Sequence, residues 1–405
     1  MLLDDAMLRT YQYRLKPKEK TFRKLQRQLE LSKNLYNAIL EKTEEKYNAD
    51  KSFKVAKKSL NNILNEIYES NPEYKGLYSQ VAQDIFVRIQ KSYRNFFRKL
   101  KNKEKNPGFP RQKTYYKSIT YPQNNGAFTI KGSKLHVSKI GTIKMRMHRP
   151  ISGEIKTMTI KRDRINRFFV FFVAECEQET KEKGSKGAIG IDMGLNSLIA
   201  TSDGVLVKNP RFLKRSEEKL KRRQKTLSKR DKGSKNRRKA RYKVAKLHER
   251  IANQRKDFMH KLTTELASKY EMFAVEDLQI KNMLNNRSLS KSISDASWGM
   301  FLKLLSCKAE SANLKVVTVN PDNTSRICSN CGNIKEISLS ERIYNCEKCG
   351  LSIDRDINAA NNILHKATTV GHTGSKACED GIKGISSMNQ ELISSADAPE
   401  GSPRL

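Results

Sequence analysis

A chain of 405 residues with 80 Lys plus Arg against 43 Asp plus Glu, a formal net charge of +37, has room for two to four compact units and calls for a polyanion partner, nucleic acid rather than membrane. No run approaches the ~18 uninterrupted apolar residues of a membrane-spanning helix and the N-terminus shows no signal-peptide core, so neither a membrane helix nor secretion is expected. Seven cysteines, four of them in paired CxxC units, suit metal binding in a reducing compartment better than disulfides, so the expected location is the cytoplasm of a prokaryote, in association with the nucleoid.

Residues 8–16 alternate in the manner of a strand. Phe22, Leu25, Leu29, Leu35, Tyr36 and Ile39 then recur at helical spacing. Two further helices carry Leu60, Ile63, Leu64 and Ile67, and Val81, Ile85, Ile89, Tyr93, Phe96, Phe97 and Leu100. These stripes predict a small helical unit over residues 21–105. Asn106-Pro107-Gly108-Phe109-Pro110-Arg111 breaks helix. Short β-prone runs over 114–175, separated by Gly, Asn and Pro, predict a small barrel or sandwich. The opening strand would complete it, so that 1–20 and 106–180 form a β-barrel with the helices as an insertion. Aromatics interleave with bases there, and Lys144, Arg146 and Arg149 are candidate nucleic-acid contacts.

After a polar link over 177–185, Gly190-Ile191-Asp192-Met193-Gly194 lies between two apolar runs. That predicts two adjacent strands with an acid at the mouth of their turn, where it is costly unless solvent or a cation meets it. Residues 208–256 hold 22 Lys plus Arg against 4 Asp plus Glu and read as two long helices interrupted at Gly233. Such a pair would repel itself unless phosphate met it, and Arg222, Arg223, Arg237, Arg238 and Arg241 are the candidate contacts. A strand over 272–275 delivers Glu276. Ser294-Asp295 then reads as the N-cap of a helix burying Trp298, Phe301, Leu302 and Leu305, followed by a strand over 315–319. Counted with a last helix after Asp354-Arg355-Asp356, this order of strands and helices predicts an RNase H-like α/β domain over 186–325 and 351–366.

The insertion at 326–350 holds Cys328-Ser329-Asn330-Cys331-Gly332 and Cys346-Glu347-Lys348-Cys349-Gly350. Each CxxC puts two thiolates on one side of a tight knuckle whose glycine permits a positive φ. Four thiolates close a tetrahedral zinc site, so that metal is expected to be structural. Cys176, Cys307 and Cys378 stand alone. Residues 367–405, rich in Gly, Ser, Thr and Glu, predict a disordered tail.

Asp192, Glu276 and one aspartate of the Asp354/Asp356 pair are three separated carboxylates, each at an element end. Together they predict a divalent-metal site. Magnesium prefers a few carboxylate oxygens plus substrate phosphate and water, and two such ions activate water and stabilise the leaving 3′ oxygen in phosphodiester cleavage. Asp192 would bridge both ions. Asp277 neighbours Glu276, but successive strand residues face opposite ways.

At this point the motifs Gly190-Ile191-Asp192-Met193-Gly194, Val275-Glu276-Asp277-Leu278, the two CxxCG units and Asp354-Arg355-Asp356-Ile357-Asn358-Ala359-Ala360-Asn361-Asn362-Ile363 resemble the split RuvC nuclease and zinc knuckle of transposon-encoded TnpB proteins, relatives of compact type V CRISPR effectors. Phe109-Pro110-Arg111 and His148-Arg149-Pro150 extend the likeness, which spans roughly residues 8–366. The resemblance implies a multidomain α+β chain: a wedge-like β-barrel with a helical recognition insertion, then a RuvC-like nuclease domain interrupted by the zinc knuckle. It implies an RNA-guided DNA endonuclease with two magnesium ions and one zinc, binding a structured guide RNA and cleaving double-stranded target DNA beside a short recognised motif. It favours Asp356 over Asp354 as the third ligand. Arg326 stands where the family often has Gln and receives no catalytic role. The residues leave open a catalytically silent nucleic-acid-binding regulator, a transposase-type strand-transfer enzyme, and the choice between monomer and dimer.

Overall fold

The computed structural model of the chain describes residues 6–124, 126–177, 186–338 and 340–370. It divides into two compact units, Met1–Gln178 and Glu179–Leu405.

In the first unit, β1 (Ala6–Lys16) begins a sheet that the chain rejoins only after α1 (Glu19–Ala49), α2 (Lys57–Ser70) and α3 (Ser79–Lys101). The helical stripes go inward: Leu25, Leu35 and Ile39 of α1, Leu60 and Ile63 of α2, and Ile85, Ile89 and Tyr93 of α3 are all buried in one core. The last turns of α3 outrun that core. Phe97 and Leu100, assigned to the stripe by periodicity, are exposed, and Phe97 instead meets Tyr47 and Phe96 edge-on or tilted near the surface.

The chain then adds β2 (Ser118–Tyr121), β3 (Phe128–Lys131), β4 (Lys134–Val137), β5 (Gly141–Arg146), β6 (Glu154–Arg162) and β7 (Phe168–Glu177). The seven strands pair in the order β2-β6-β7-β1-β5-β4-β3. One long strand, β1, holds the sheet together, with residues 6–14 on β7 and residues 14–16 on β5. Among the described residues the sheet curls, but its edges β2 and β3 are four residues each and no ladder joins them, so hydrogen bonding leaves the expected barrel open.

The second unit is built on β8 (Lys186–Met193), β9 (Ser197–Thr201) and β10 (Leu206–Lys208), followed by α4 (Phe212–Ser228), α5 (Lys235–Lys269), β11 (Tyr270–Glu276), α6 (Ile280–Met283), α7 (Ser290–Ala296), α8 (Trp298–Ser311) and β12 (Lys315–Val319). The short pair β13 (Ile343–Asn345) and β14 (Ser352–Asp354) precedes α9 (Arg355–Val370). The main sheet runs β10-β9-β8-β11-β12, with β8, β11 and β12 parallel.

Strand alternation decides what covers each face. Ile189, Ile191, Met193, Phe273 and Val275 share a core with Met259 and Leu262 of α5 and Phe301 and Leu305 of α8. The other face carries small residues, and α9 lies on it: Ala274 and Val319 pack with Ile363 and Ala367. Ala367 extends the stripe of Ala360 and Ile363 by one turn. For that reason residues 367–370 are helix rather than the start of the tail; the remainder of 367–405 lies outside the described residues. No helix among the described residues is long and apolar enough to cross a membrane.

Helices α4 and α5 form a hairpin around Gly233, whose φ is +86°, with a small core of Leu220, Val244, Leu247 and Ile251. Its root departs from the sequence reading. Asp295 does not cap the helix that follows it: Ser297 enters α8 in the left-handed region with no side-chain cap. The Asp295 carboxylate instead accepts the backbone N–H groups of Leu213 and Lys214 at 2.9 and 3.1 Å, in the first turn of α4. It also accepts Arg255 of α5 at 2.7 Å. An anion at a helix start satisfies orphan donors and complements the helix dipole; in its pairing with the guanidinium the Asp295 carboxylate is buried and Arg255 is partly so. Asp295→Ala strands Arg255 and should cost roughly 3–5 kcal/mol, seen as faster proteolysis within 212–256. An unchanged cleavage pattern would show that the hairpin needs no such root.

Candidate active site and metal centre

Asp192 lies at the end of β8 and Glu276 is the last residue of β11. Both occupy the face on which α9 packs, and Asp356 stands in the first turn of α9. The carboxyl ends of parallel strands are where open α/β sheets place their ligands. The approach of α9 is made possible by Gly190, where a built Cβ would come to 2.0 Å from the Ala360 carbonyl oxygen. The turn after Asp192 is pinned by the Trp298 indole N–H, which donates to the Gly194 carbonyl at 3.2 Å. The sequence puts Trp298 in the core, and it is buried, but the polar end of the ring holds the loop.

The three acids repel one another. Burial, and then the charges of Glu276 and Asp356, push the Asp192 carboxyl up to about 7, against a smaller opposing pull from the Met193 N–H and Arg355. Burial also raises Glu276, offset by a hydrogen bond from Thr324 and by the charge of Lys366. Asp354 is otherwise engaged: its carboxylate accepts the N–H of Asp356 at 2.9 Å and that of Ile357 at 3.4 Å, capping α9. Asp277 is exposed, one residue past the end of β11.

A second cluster is tighter. Among the described residues, Cys328, Cys331, Cys346 and Cys349 are the one group of three or more potential metal ligands whose donor atoms all lie within 4.8 Å of one another. The two knuckles repeat one design: Gly332 N–H donates to Cys328 O at 3.0 Å and Gly350 N–H to Cys346 O at 2.9 Å, with φ of +72° and +73° at the glycines. Sulfur pairs 328/349 and 331/346 sit 3.6 Å apart, far beyond a disulfide bond and suited to thiolates around one ion. Cys176 is buried in the first unit and Cys307 is exposed; Cys378 lies outside the described residues.

The predicted basic residues divide. Arg222, Arg238 and Arg241 are exposed on the hairpin. Arg223 instead donates to Lys243 O at 2.8 Å, and Arg237 to Leu227 O at 3.1 Å and Arg230 O at 2.7 Å, so both tie α4 to α5. Arg149 lies 4.7 Å over the Tyr11 ring. Lys144 and Arg146 are exposed on β5, and the strand register adds three cations that the sequence reading did not single out. Arg14 lies opposite Arg146, Lys16 opposite Lys144, and Lys134 opposite Lys144. Like charges directly opposite destabilise a sheet, so this row stands at a cost that a bound polyanion would relieve. Only the register, which the sequence does not display, could have found it.

Residues 171–287 match the OrfB_IS605 family, described as "Probable transposase", and residues 298–363 match the Cas12f1-like TNB domain. A protein of Streptomyces pristinaespiralis named "Putative RNA-guided DNA endonuclease" is 32% identical over 415 residues, spanning 98% of this chain and 98% of its own length. The chain belongs to the TnpB family. TnpB-like protein L79 of Acanthamoeba polyphaga mimivirus is 29% identical over 235 residues, covering 55% of this chain and 45% of that protein. Among solved structures, a Cas12f1-sgRNA-target DNA complex aligns with a TM-score of 0.53 at 18% identity, over 85% of this chain and 82% of that one, a likeness of fold. The TnpB assignment accounts for an α/β sheet, a curled β unit and a cysteine quartet in one chain.

Proposed function

We propose that this TnpB chain is an RNA-guided endonuclease that cleaves double-stranded DNA at a single RuvC-like site formed by Asp192, Glu276 and Asp356. What supports the reading is that three carboxylates, from two strand ends and a helix start, lie on the α9 face of the sheet, where burial first and the charges of Glu276 and Asp356 second push Asp192 up to about 7. The donors fit magnesium: three hard carboxylate oxygen donors that repel one another and would be relieved by a divalent cation. When bound, two magnesium ions would supply the charge that activates water and stabilises the leaving 3′ oxygen. Asp192, whose carboxyl feels the charge of both other acids, would hold the ions together with Glu276 and Asp356. Asp354 holds the start of α9, and so the position of Asp356.

The cysteine quartet would hold one structural zinc with no open position. The purified chain should therefore carry one zinc, and Cys328→Ser or Cys346→Ser should lose it; full zinc occupancy in both variants would refute the site.

Guide RNA and target DNA are the polyanions we assign to the net charge of +37, with the helical insertion and curled sheet of the first unit reading the target-adjacent motif. The cation row Lys16, Lys144 and Lys134 gives this a measurable form. Replacing all three with Ala should lower the slope of log affinity for guide RNA against log salt by about 2–3. It should also raise stability by a few tenths of a kcal/mol. An unchanged salt slope would remove the row from the interface.

The reading as a whole is tested by sequencing the RNA that copurifies with the chain, then offering matched and mismatched duplexes with magnesium. Cleavage should follow the guide when its sequence is changed. Guide-independent cutting, or joining of transposon ends in place of cutting, would overturn it.

A further inference from the structure

Glu276 is the least exposed of the three acids, and one side chain fixes it. The Thr324 hydroxyl lies 2.6 Å from Glu276 Oε1, with the Pro321 carbonyl as its other neighbour at 3.0 Å. Both residues are buried. Thr324 lies in none of the strands or helices: it follows Asn323, in the left-handed region at φ +58°, on the segment between β12 and the first cysteine knuckle.

That segment is held from α9. Asn362, itself buried, donates through Nδ2 to Thr324 O at 2.8 Å and to Ile327 O at 2.6 Å. One turn earlier, fully buried Asn358 donates to Ile327 O at 2.7 Å and accepts the Ser329 N–H at 2.9 Å. The far side is held by the Tyr344 hydroxyl, which donates to Arg326 O at 3.1 Å. Tyr344 is buried among the cysteines. The cysteine cluster thus reaches Glu276 through a short run of backbone and two asparagines. Those asparagines sit on the same helix as Asp356.

We infer that Thr324 is a positioning residue for the acidic site: its hydroxyl holds one oxygen of Glu276 and turns the other toward the cation, and the cysteine knuckle, clamped by Asn358 and Asn362, holds Thr324. This rests on Glu276 being a cation ligand, as proposed above. A carboxylate of three rotatable bonds is expensive to order. A hydrogen bond to the oxygen that the cation does not use orders it beforehand, and outer partners of this kind are worth 10–100-fold in metal affinity or activity. The arrangement also explains why an insertion between β12 and α9 does not loosen the site: the inserted module is the support of one of its ligands.

The test uses the full chain and Mn2+ as the probe. Binding is followed by electron paramagnetic resonance without nucleic acid, alongside Mg2+-dependent cleavage of guided duplex. Thr324→Val keeps the shape and removes the donor; it should weaken Mn2+ binding about 10-fold or more and slow cleavage comparably. Thr324→Ser keeps the donor and should restore both to within about threefold. Zinc content should stay at the wild-type level in each variant. Wild-type Mn2+ affinity in Thr324→Val would overturn the inference, as would a Thr324→Ser protein no better than Val, or Mn2+ loss accompanied by zinc loss. Asp192→Asn, run in parallel, separates the two questions. If it too binds Mn2+ and cuts like wild type, the acidic site itself is wrong; if it fails while Thr324→Val does not, only the positioning role falls.

Discussion

Asp192→Asn is expected to abolish guided cleavage, by 10³-fold or more, and at the same time to make the metal-free protein harder to melt at pH 8. The first effect follows from removing the acid that faces both others. The second follows from linkage. The folded Asp192 carboxyl titrates at about 7, against about 3.9 in an unfolded chain. Between those values the folded state keeps a proton that the unfolded state has lost, so stability falls as pH rises through that window. The contribution is intact below the unfolded value and gone above about pH 7. A shift of this size corresponds to at most about 4 kcal/mol, less the part that solvent reaching the strand end screens. Asn carries no charge at any pH. Its advantage should appear above pH 7 in chelator and vanish when magnesium is added, because only the wild type gains from the ion. Equal melting midpoints of the two proteins at pH 8 in chelator would show that the three acids do not strain the fold.

Gly190→Ala should be the most disruptive single methyl in the second unit. Its Cβ would lie 2.0 Å from the Ala360 carbonyl oxygen and 2.9 Å from Leu364 Cβ. Both obstacles belong to α9, one of them to its backbone, and neither can swing away as a flexible side-chain tip could. The helix must lift from β8, at a cost of about 3 kcal/mol or more. Asp356, Asn358 and Asn362 would move with it, so nuclease activity and zinc retention should decline together. Urea unfolding and zinc content read both; a midpoint equal to wild type would mean that α9 is not seated as described.

What could be read in the sequence was local. Asp192 and Glu276 end apolar runs, Asp356 opens an apolar helical stripe, and the cysteines announce themselves by spacing. What could not be read depends on distant segments meeting. Asp295 precedes a helix, and locality assigns it to that helix; in the fold it serves α4 and Arg255, 40 or more residues away. Arg223 and Arg237 look like their exposed neighbours until the hairpin closes and turns them onto backbone carbonyls. Lys16 and Lys134 become one row with Lys144 only through strand register. Thr324 carries no signal at all, since its partner lies 48 residues earlier. Open edges of the curled sheet were equally invisible, because strand count does not determine closure.

Helix α9 does three jobs from successive positions: Asp356 toward the acids, Asn358 and Asn362 toward the knuckle segment, Ala360 and Leu364 against Gly190. An α-helix advances about 100° per residue. One codon inserted after Ile357 would therefore swing every later side chain by more than a quarter turn and uncouple all the downstream duties from the first, whereas the surface of the same helix can change letter by letter. Such a segment should tolerate substitution far better than any change of length, which makes its spacing the feature to look for in tracing distant kin of this chain.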